Sequence, residues 1–138
     1  MARNVLTSNV DYYVSSTGSD TTGNGSATTP WASVTKAYAY AQQNLDLAGQ
    51  WGVIVYLQND ITGAWTFDGP LVGARGPQSF IVRGTANDQS RTVYSPVNGG
   101  IFFIKNGAAI QITRMAVQPM GAGGNGWTVV DGTFDFGT

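Results

Sequence analysis

The chain has 138 residues and not one of them is cysteine, histidine or glutamate. Without cysteine there are no disulfides and no thiol nucleophile, and without histidine as well there is no zinc-finger ligation and no imidazole-based triad. All eight acidic residues are aspartate. The seven basic residues are scattered between Arg3 and Arg114, giving a net charge of −1 and no basic stripe. A nucleic-acid surface is not expected of such a chain. Long apolar runs are missing too: the densest, Val53 to Leu57, is far too short to span a bilayer. The opening MARNVLTSNV has no apolar h-region and no small-residue cleavage site behind one, so a protein made in the cytoplasm is expected, without a secretory signal. Export, if any, would go through assembly into a particle and lysis.

What is present points to a β-rich chain of a single domain, long enough to bury one core without staples. The 19 glycines favour turns and strands over long helices. From Asp11 to Tyr40 the chain strings together a short strand, a polar glycine loop and an amphipathic helix. Tyr12, Tyr13 and Val14 carry the aromatic and β-branched bias of a strand, and Ser15 to Thr29 is almost entirely Ser, Thr, Gly, Asn and Asp. Pro30 sets an approach turn, and Val34, Ala37, Tyr38 and Ala41 fall on one helical face. Ser33 can cap that helix; Thr29 is the alternative cap, with Pro30 in first position.

The pattern Tyr12-Tyr13-Val14, Gly18-Ser19-Asp20, Gly25, Pro30-Trp31-Ala32-Ser33 and Lys36-Ala37 resembles the N-terminal opening of right-handed parallel β-helix proteins of the pectin-lyase-like class, in the version found in tailed-phage tail spikes and tail fibres. The match covers about the first forty residues. The resemblance implies that strand and helix cap the first coil of a solenoid, that the role of this segment is structural, and that the protein is a homotrimeric virion component. Phage members often bind or cleave surface polysaccharide, but no catalytic acid of theirs matches a residue here.

Further along, Gly52 to Leu57 reads as a buried strand ended by Asn59-Asp60. Apolar clusters recur around Val55, Ile81, Phe103 and Val129, and a second series runs through Thr66, Val93 and Ala116, with members of each roughly two dozen residues apart. Stacked coils predict two such interleaved series, and a meander of short antiparallel strands would also produce them. Corners are expected at Gly69-Pro70, Gly73, Gly76-Pro77, Gly84, Pro96, Asn98-Gly99-Gly100, Asn106-Gly107 and the run Gly121 to Gly126. Between the corners, Ile110, Ile112 and Arg114 should share one strand face, with Gln111, Thr113 and Met115 on the other. The last strands, Trp127 to Phe136, are followed by no closing element, so a further stretch of chain or a partner is expected to cover them.

Each candidate for chemistry has a structural reading that weighs more. Glycoside hydrolysis needs two carboxyl groups about 5 to 10 Å apart. Asp60 with Asp68, and Asp131 with Asp135, are the pairs available, but Asp60 follows Asn59, Asp68 precedes Gly69-Pro70 and Asp131 precedes Gly132, all turn contexts. Asp20 and Asn24 could offer oxygens to calcium, yet the spacing is not that of an EF-hand, and ordering of their own loop is the better reading. The Met120 to Gly126 segment lacks the lysine and hydroxyl of a phosphate loop. Trp31, Trp51 and Trp65 belong to packing and Trp127 is open, while Arg75, Arg83, Arg91 and Arg114 read as solvated.

The fold expected is all-β: the start of a right-handed parallel β-helix with an N-terminal strand and one capping α-helix, spanning residues 11–138 behind an attachment segment at residues 1–10. That segment, polar and unpatterned, is expected to be ordered only by a partner. The function expected is structural: a tail-spike or tail-fibre component that positions a receptor-binding body on a virion, in contact with other virion proteins and with cell-surface polysaccharide. No catalytic, cofactor-binding or metal residue is assigned, and no nucleic acid or membrane span is expected. The alternatives are a polysaccharide lyase or hydrolase and a glycan-binding adhesin without catalysis.

Overall fold

The computed structural model describes residues 3–62, 65–84, 91–95, 100–113, 115–119, 125–129 and 132–136, and their side chains over 3–61, 65–84 and 103–113. Two strands, β1 (Asn4–Val5) and β2 (Val10–Val14), precede the helix α1 (Val34–Asn44), which runs directly into β3 (Leu45–Asp46). The next strands are β4 (Val53–Leu57), β5 (Ile61–Thr62), β6 (Trp65–Asp68) and β7 (Phe80–Arg83). Then come β8 (Arg91–Ser95), β9 (Gly100–Lys105), β10 (Ala108–Thr113), β11 (Met115–Pro119), β12 (Asn125–Val129) and β13 (Gly132–Phe136). The protein is therefore mostly strand with one α-helix among the described residues.

Every strand pairing among the described residues is parallel. The strands form a five-stranded sheet in the order β13-β10-β7-β4-β2, two three-stranded sheets, β11-β8-β5 and β12-β9-β6, and the small pair β1-β3. From β4 onward the chain visits the three larger sheets in the same order three times and returns to the first with β13. This arrangement excludes the antiparallel meander among the described strands, since consecutive strands lie in different sheets.

Alternation sets which side of the five-stranded sheet faces the core. Val53, Val55 and Leu57 are buried while Ile54 and Tyr56 between them are half-buried, and Phe80 and Val82 repeat the pattern. Register then stacks like on like: Val53 lies beside Phe80, Val55 beside Val82, and Val82 beside Ile112. In β10 the alternation holds from Ala108 to Ile112, but Thr113 is buried as well. Its hydroxyl accepts from Arg83 Nε at 3.3 Å and its carbonyl from Gly84 N–H at 3.0 Å. Arg114 lies outside the described residues, as do Pro96, Asn98, Gly99, Asp131 and the loop from Met120 to Gly124.

The two apolar series have the right spacing and the wrong membership. Val55 and Ile81 belong to the five-stranded sheet, whereas Phe103 and Val129 belong to the β12-β9-β6 sheet. Thr66 likewise sits in β6, apart from Val93 and Ala116 in the β11-β8-β5 sheet. Strand formers of three walls are interleaved along the chain, and peaks of apolarity alone do not say which wall a strand joins.

Candidate functional site

The richest local structure is the loop between β2 and α1 together with the helix it leads into. Ser33, in extended conformation (φ −142°), caps α1 by accepting from Lys36 N–H at 3.2 Å, which decides between the two caps open in the sequence. Asp20 reaches across the loop to the same helix start: one carboxylate oxygen accepts from the N–H groups of Ala32 at 2.8 Å and Ser33 at 3.1 Å, and the other from the Ser33 hydroxyl at 2.7 Å. A carboxylate is well placed there, against unpaired amides at the positive end of the helix dipole. Asn24 Oδ1 accepts from Ser26 N–H at 3.0 Å and from the Thr29 hydroxyl. Asn24 thus faces donors of its own loop, while Asp20, expected to do the same, ties the loop to the helix that follows it.

The loop closes on an aromatic cluster. Trp31 is buried, with its ring 5.0 Å from Tyr12 and 5.2 Å from Tyr40, and its indole N–H donates to Gly23 O at 3.0 Å. Gly25, at φ +81°, lies on these rings; a Cβ there would meet Trp31 Cζ3 at 2.8 Å and Tyr12 Cδ1 at 2.9 Å. Gly18 is required for a different reason, since a Cβ would come within 2.4 Å of Trp31 O. Burial pushes the Tyr12 hydroxyl up to about 12, with neighbouring Tyr40 adding to it.

Loop and helix together close strand edges. The outer edge of β2 is met by the loop itself: Tyr13 N–H donates to Gly25 O at 2.8 Å, Trp31 N–H to Tyr13 O at 3.1 Å and Ser15 N–H to Trp31 O at 2.9 Å. At β6, the first strand of its sheet, α1 supplies side chains in place of a strand. Thr35 Oγ1 accepts from Thr66 N–H at 2.9 Å, the Tyr38 hydroxyl donates to Gly69 O, and Gln42 Nε2 donates to Asp68 O at 2.7 Å. Thr35, Tyr38 and Gln42 are spaced i, i+3, i+7, one stripe of the helix beside the apolar face of Val34, Ala37, Tyr38 and Ala41 that is buried as expected. The Tyr38 ring packs edge-on against Phe67 and Phe80, and burial, then the charge of Asp68, raise its hydroxyl far above the ordinary tyrosine range.

The other end of α1 is held from upstream. The Arg3 guanidinium donates to the carbonyls of Gln42 and Leu45, β1 pairs with β3, and Leu6 is buried. The segment expected to need a partner for its order is tied to the chain itself from Arg3 to Leu6.

The candidate carboxylates are dispersed or occupied. Asp60 is exposed ahead of β5. Asp68, at the end of β6, sits 3.9 Å from Lys105 Nζ and accepts from Asn106 Nδ2 at 2.6 Å. Asp131 lies outside the described residues, and the side chain of Asp135 in β13 is outside them too, as is that of Trp127 in β12. Trp31 and Trp65 are buried and Trp51 packs half-buried on the core, in line with their packing assignment. A shallow, open cleft of about 210 Å³ is lined by Thr17, Ser19, Thr22, Thr28 and Pro30 within the loop. Among the described residues no group of three Asp, Glu, His or Cys side chains could hold a metal ion, and no helix is long and apolar enough to cross a membrane.

Sequence reasoning missed the edge contacts of Thr35 and Gln42 and the cap by Arg3. The polar stripe adjoining the apolar face of α1 was the signal for the first two. It also missed an outward ladder in which Tyr13 stacks on Tyr56 with centroids 5.4 Å apart and the Arg83 guanidinium lies 6.0 Å from the Tyr56 ring. Compared with protein-family models, curated proteins and solved structures, the chain returns no match.

Proposed function

We propose that the chain forms the N-terminal cap and first coils of a right-handed parallel β-helix, and that its work is structural: to start and position the body of a virion tail-spike or tail-fibre protein. The observation that carries this reading is the recurrence of three parallel sheets visited in fixed order, with α1 and its loop lying on the outer edges of β2 and β6, where a preceding coil would otherwise pair. The polar groups of the loop are used on the chain itself, which suits an end-cover better than an active site. On this reading the protein assembles as a homotrimer and meets other virion proteins through residues 1–10.

A second reading, a glycan-binding or glycan-cleaving chain, draws on the outward stack of Tyr13 and Tyr56, which offers ring surface and the nearby Arg83 charge to sugars. Incubating the pure chain with bacterial surface polysaccharides separates the readings. The structural role predicts no new reducing ends or unsaturated sugars, no signal on a glycan array, and trimers in sedimentation. Turnover would make the chain an enzyme, and array binding without turnover would make it an adhesin.

A further inference from the structure

We propose that Asn106 is a site of spontaneous covalent modification, losing its amide by cyclisation onto Gly107, and that the carboxylate so formed loosens the corner between β9 and β10. The two residues make that corner alone, at φ +57° and +87°, and both are exposed. Glycine carries no side chain beside its nitrogen, and the space a Cβ would take at Gly107 holds nothing nearer than Pro70 Cδ at 3.8 Å. Among the described residues the Gly107 N–H has no acceptor. Among the described residues, then, nothing holds the nucleophile, and the leaving group lies at the surface against Asp68.

Asn24-Gly25 has the same dipeptide and the opposite setting. Gly25 is buried against Trp31 and its N–H donates to Thr29 O at 3.2 Å. Its nitrogen is held away from reaction, so the chain carries its own control.

The chemistry is a hydrolysis by way of a cyclic imide. The Gly107 nitrogen bonds to Asn106 Cγ, the Cγ–Nδ2 bond breaks, and ammonia leaves with the proton that the nitrogen gives up. Water then adds to one of the two imide carbonyls and breaks its C–N bond, leaving aspartate or, by the other carbonyl, isoaspartate. One water is consumed and one ammonia released, with no redox change. The consequence follows from Asp68. Asn106 Nδ2 donates to its Oδ1 at 2.6 Å, so the product replaces a charge-assisted hydrogen bond by two carboxylates in contact. Lys105, 3.9 Å from the other Asp68 oxygen and part exposed, offsets this only weakly. Isoaspartate also lengthens the main chain within a two-residue corner.

The test ages the native full chain at mildly alkaline pH and follows tryptic peptides by mass. Lys105 and Arg114 bracket a peptide beginning at Asn106, while Asn24 falls in the peptide between Arg3 and Lys36. The expected result is a one-dalton gain at Asn106 accumulating several-fold faster than at Asn24, with the two rates similar in denatured chain. Equal or faster conversion of Asn24 in the native chain, or an unchanged Asn106 where denatured chain converts, would overturn the assignment. The consequence is read separately: Asn106→Asp should lower the Tm of the chain with Asp68 and leave it nearly unchanged in the Asp68→Asn background. Equal falls in both backgrounds would remove the repulsion from the account.

Discussion

The loop from Ser15 to Pro30 and the stack of β4, β7 and β10 lie against the same core and are held by opposite means. In the stack, apolar side chains alternate and the register places Val55 beside Val82 and Val82 beside Ile112, so each layer repeats the last. In the loop nothing repeats. Asp20 serves one helix start, Gly25 clears one pair of rings, and Trp31 sends its N–H to one carbonyl. The stack can lose one side chain and keep its pattern, whereas the loop depends on single contacts with no neighbour of the same kind. The comparison teaches that polar, glycine-rich sequence here encodes a specific cover for strand edges.

The largest effect sets the two regions side by side. Trp31→Ala and Phe80→Ala each remove a buried ring and should each cost about 3–5 kcal/mol in denaturant unfolding. They should differ in reach: Trp31→Ala should release the amides of Tyr13 and Ser15 to hydrogen exchange, and Phe80→Ala should leave them protected. Next comes Asp20→Ala, which strips three donors of a charged acceptor at the start of α1 and should cost about 1.5–3 kcal/mol, read from the same unfolding curves. Smaller is the alkaline limb. Tyrosine in the unfolded chain ionises near pH 10, while Tyr12 in the fold is pushed up to about 12 by burial and Tyr40, and Tyr38 is raised further by burial and Asp68. Above about pH 10 the unfolded chain releases protons that the folded chain keeps, so stability falls as pH rises from there to about 12. Tyr38→Phe should make that fall shallower, at a cost near neutral pH of about 0.5–1.5 kcal/mol for the lost bond to Gly69 O.

Much of the loop and helix was legible in the sequence because its signals are local. A hydroxyl before the first turn marks the cap, and Val34, Ala37, Tyr38 and Ala41 mark the buried face at helical spacing. Whereas β1 lies in the stretch read as unpatterned and β3 was not foreseen, longer strands such as β2 and β4 were legible for the same reason. Their grouping was not, because membership in a sheet is a pairing between residues far apart in the chain: Phe103 looks like Ile81 in composition, yet it pairs with Thr66 and Thr128. The edge contacts were hidden more deeply. Thr35 and Gln42 are ordinary surface residues of a helix until β6 is placed beside them, and Arg3 is an isolated charge until β1 pairs with β3. A carboxylate in the sequence does not announce its partners: Asp20 turns to the start of α1, and Asp68 to Lys105 and Asn106 at a corner.

The central claim is that α1 and its loop close the edges of β2 and β6 in place of a further strand, and the Thr66 amide tests it most directly. It lies on the outer edge of β6, and its acceptor is a helix side chain, Thr35 Oγ1, at 2.9 Å. Residue-resolved hydrogen exchange on the native chain should find Thr66 protected to the level of Val55 and Val82 inside the stack, and Thr35→Val should release Thr66 while leaving those two slow. A Thr66 amide that exchanges in the unaltered chain as fast as exposed loop positions such as Thr28 would contradict the account, because the first edge would then stand open.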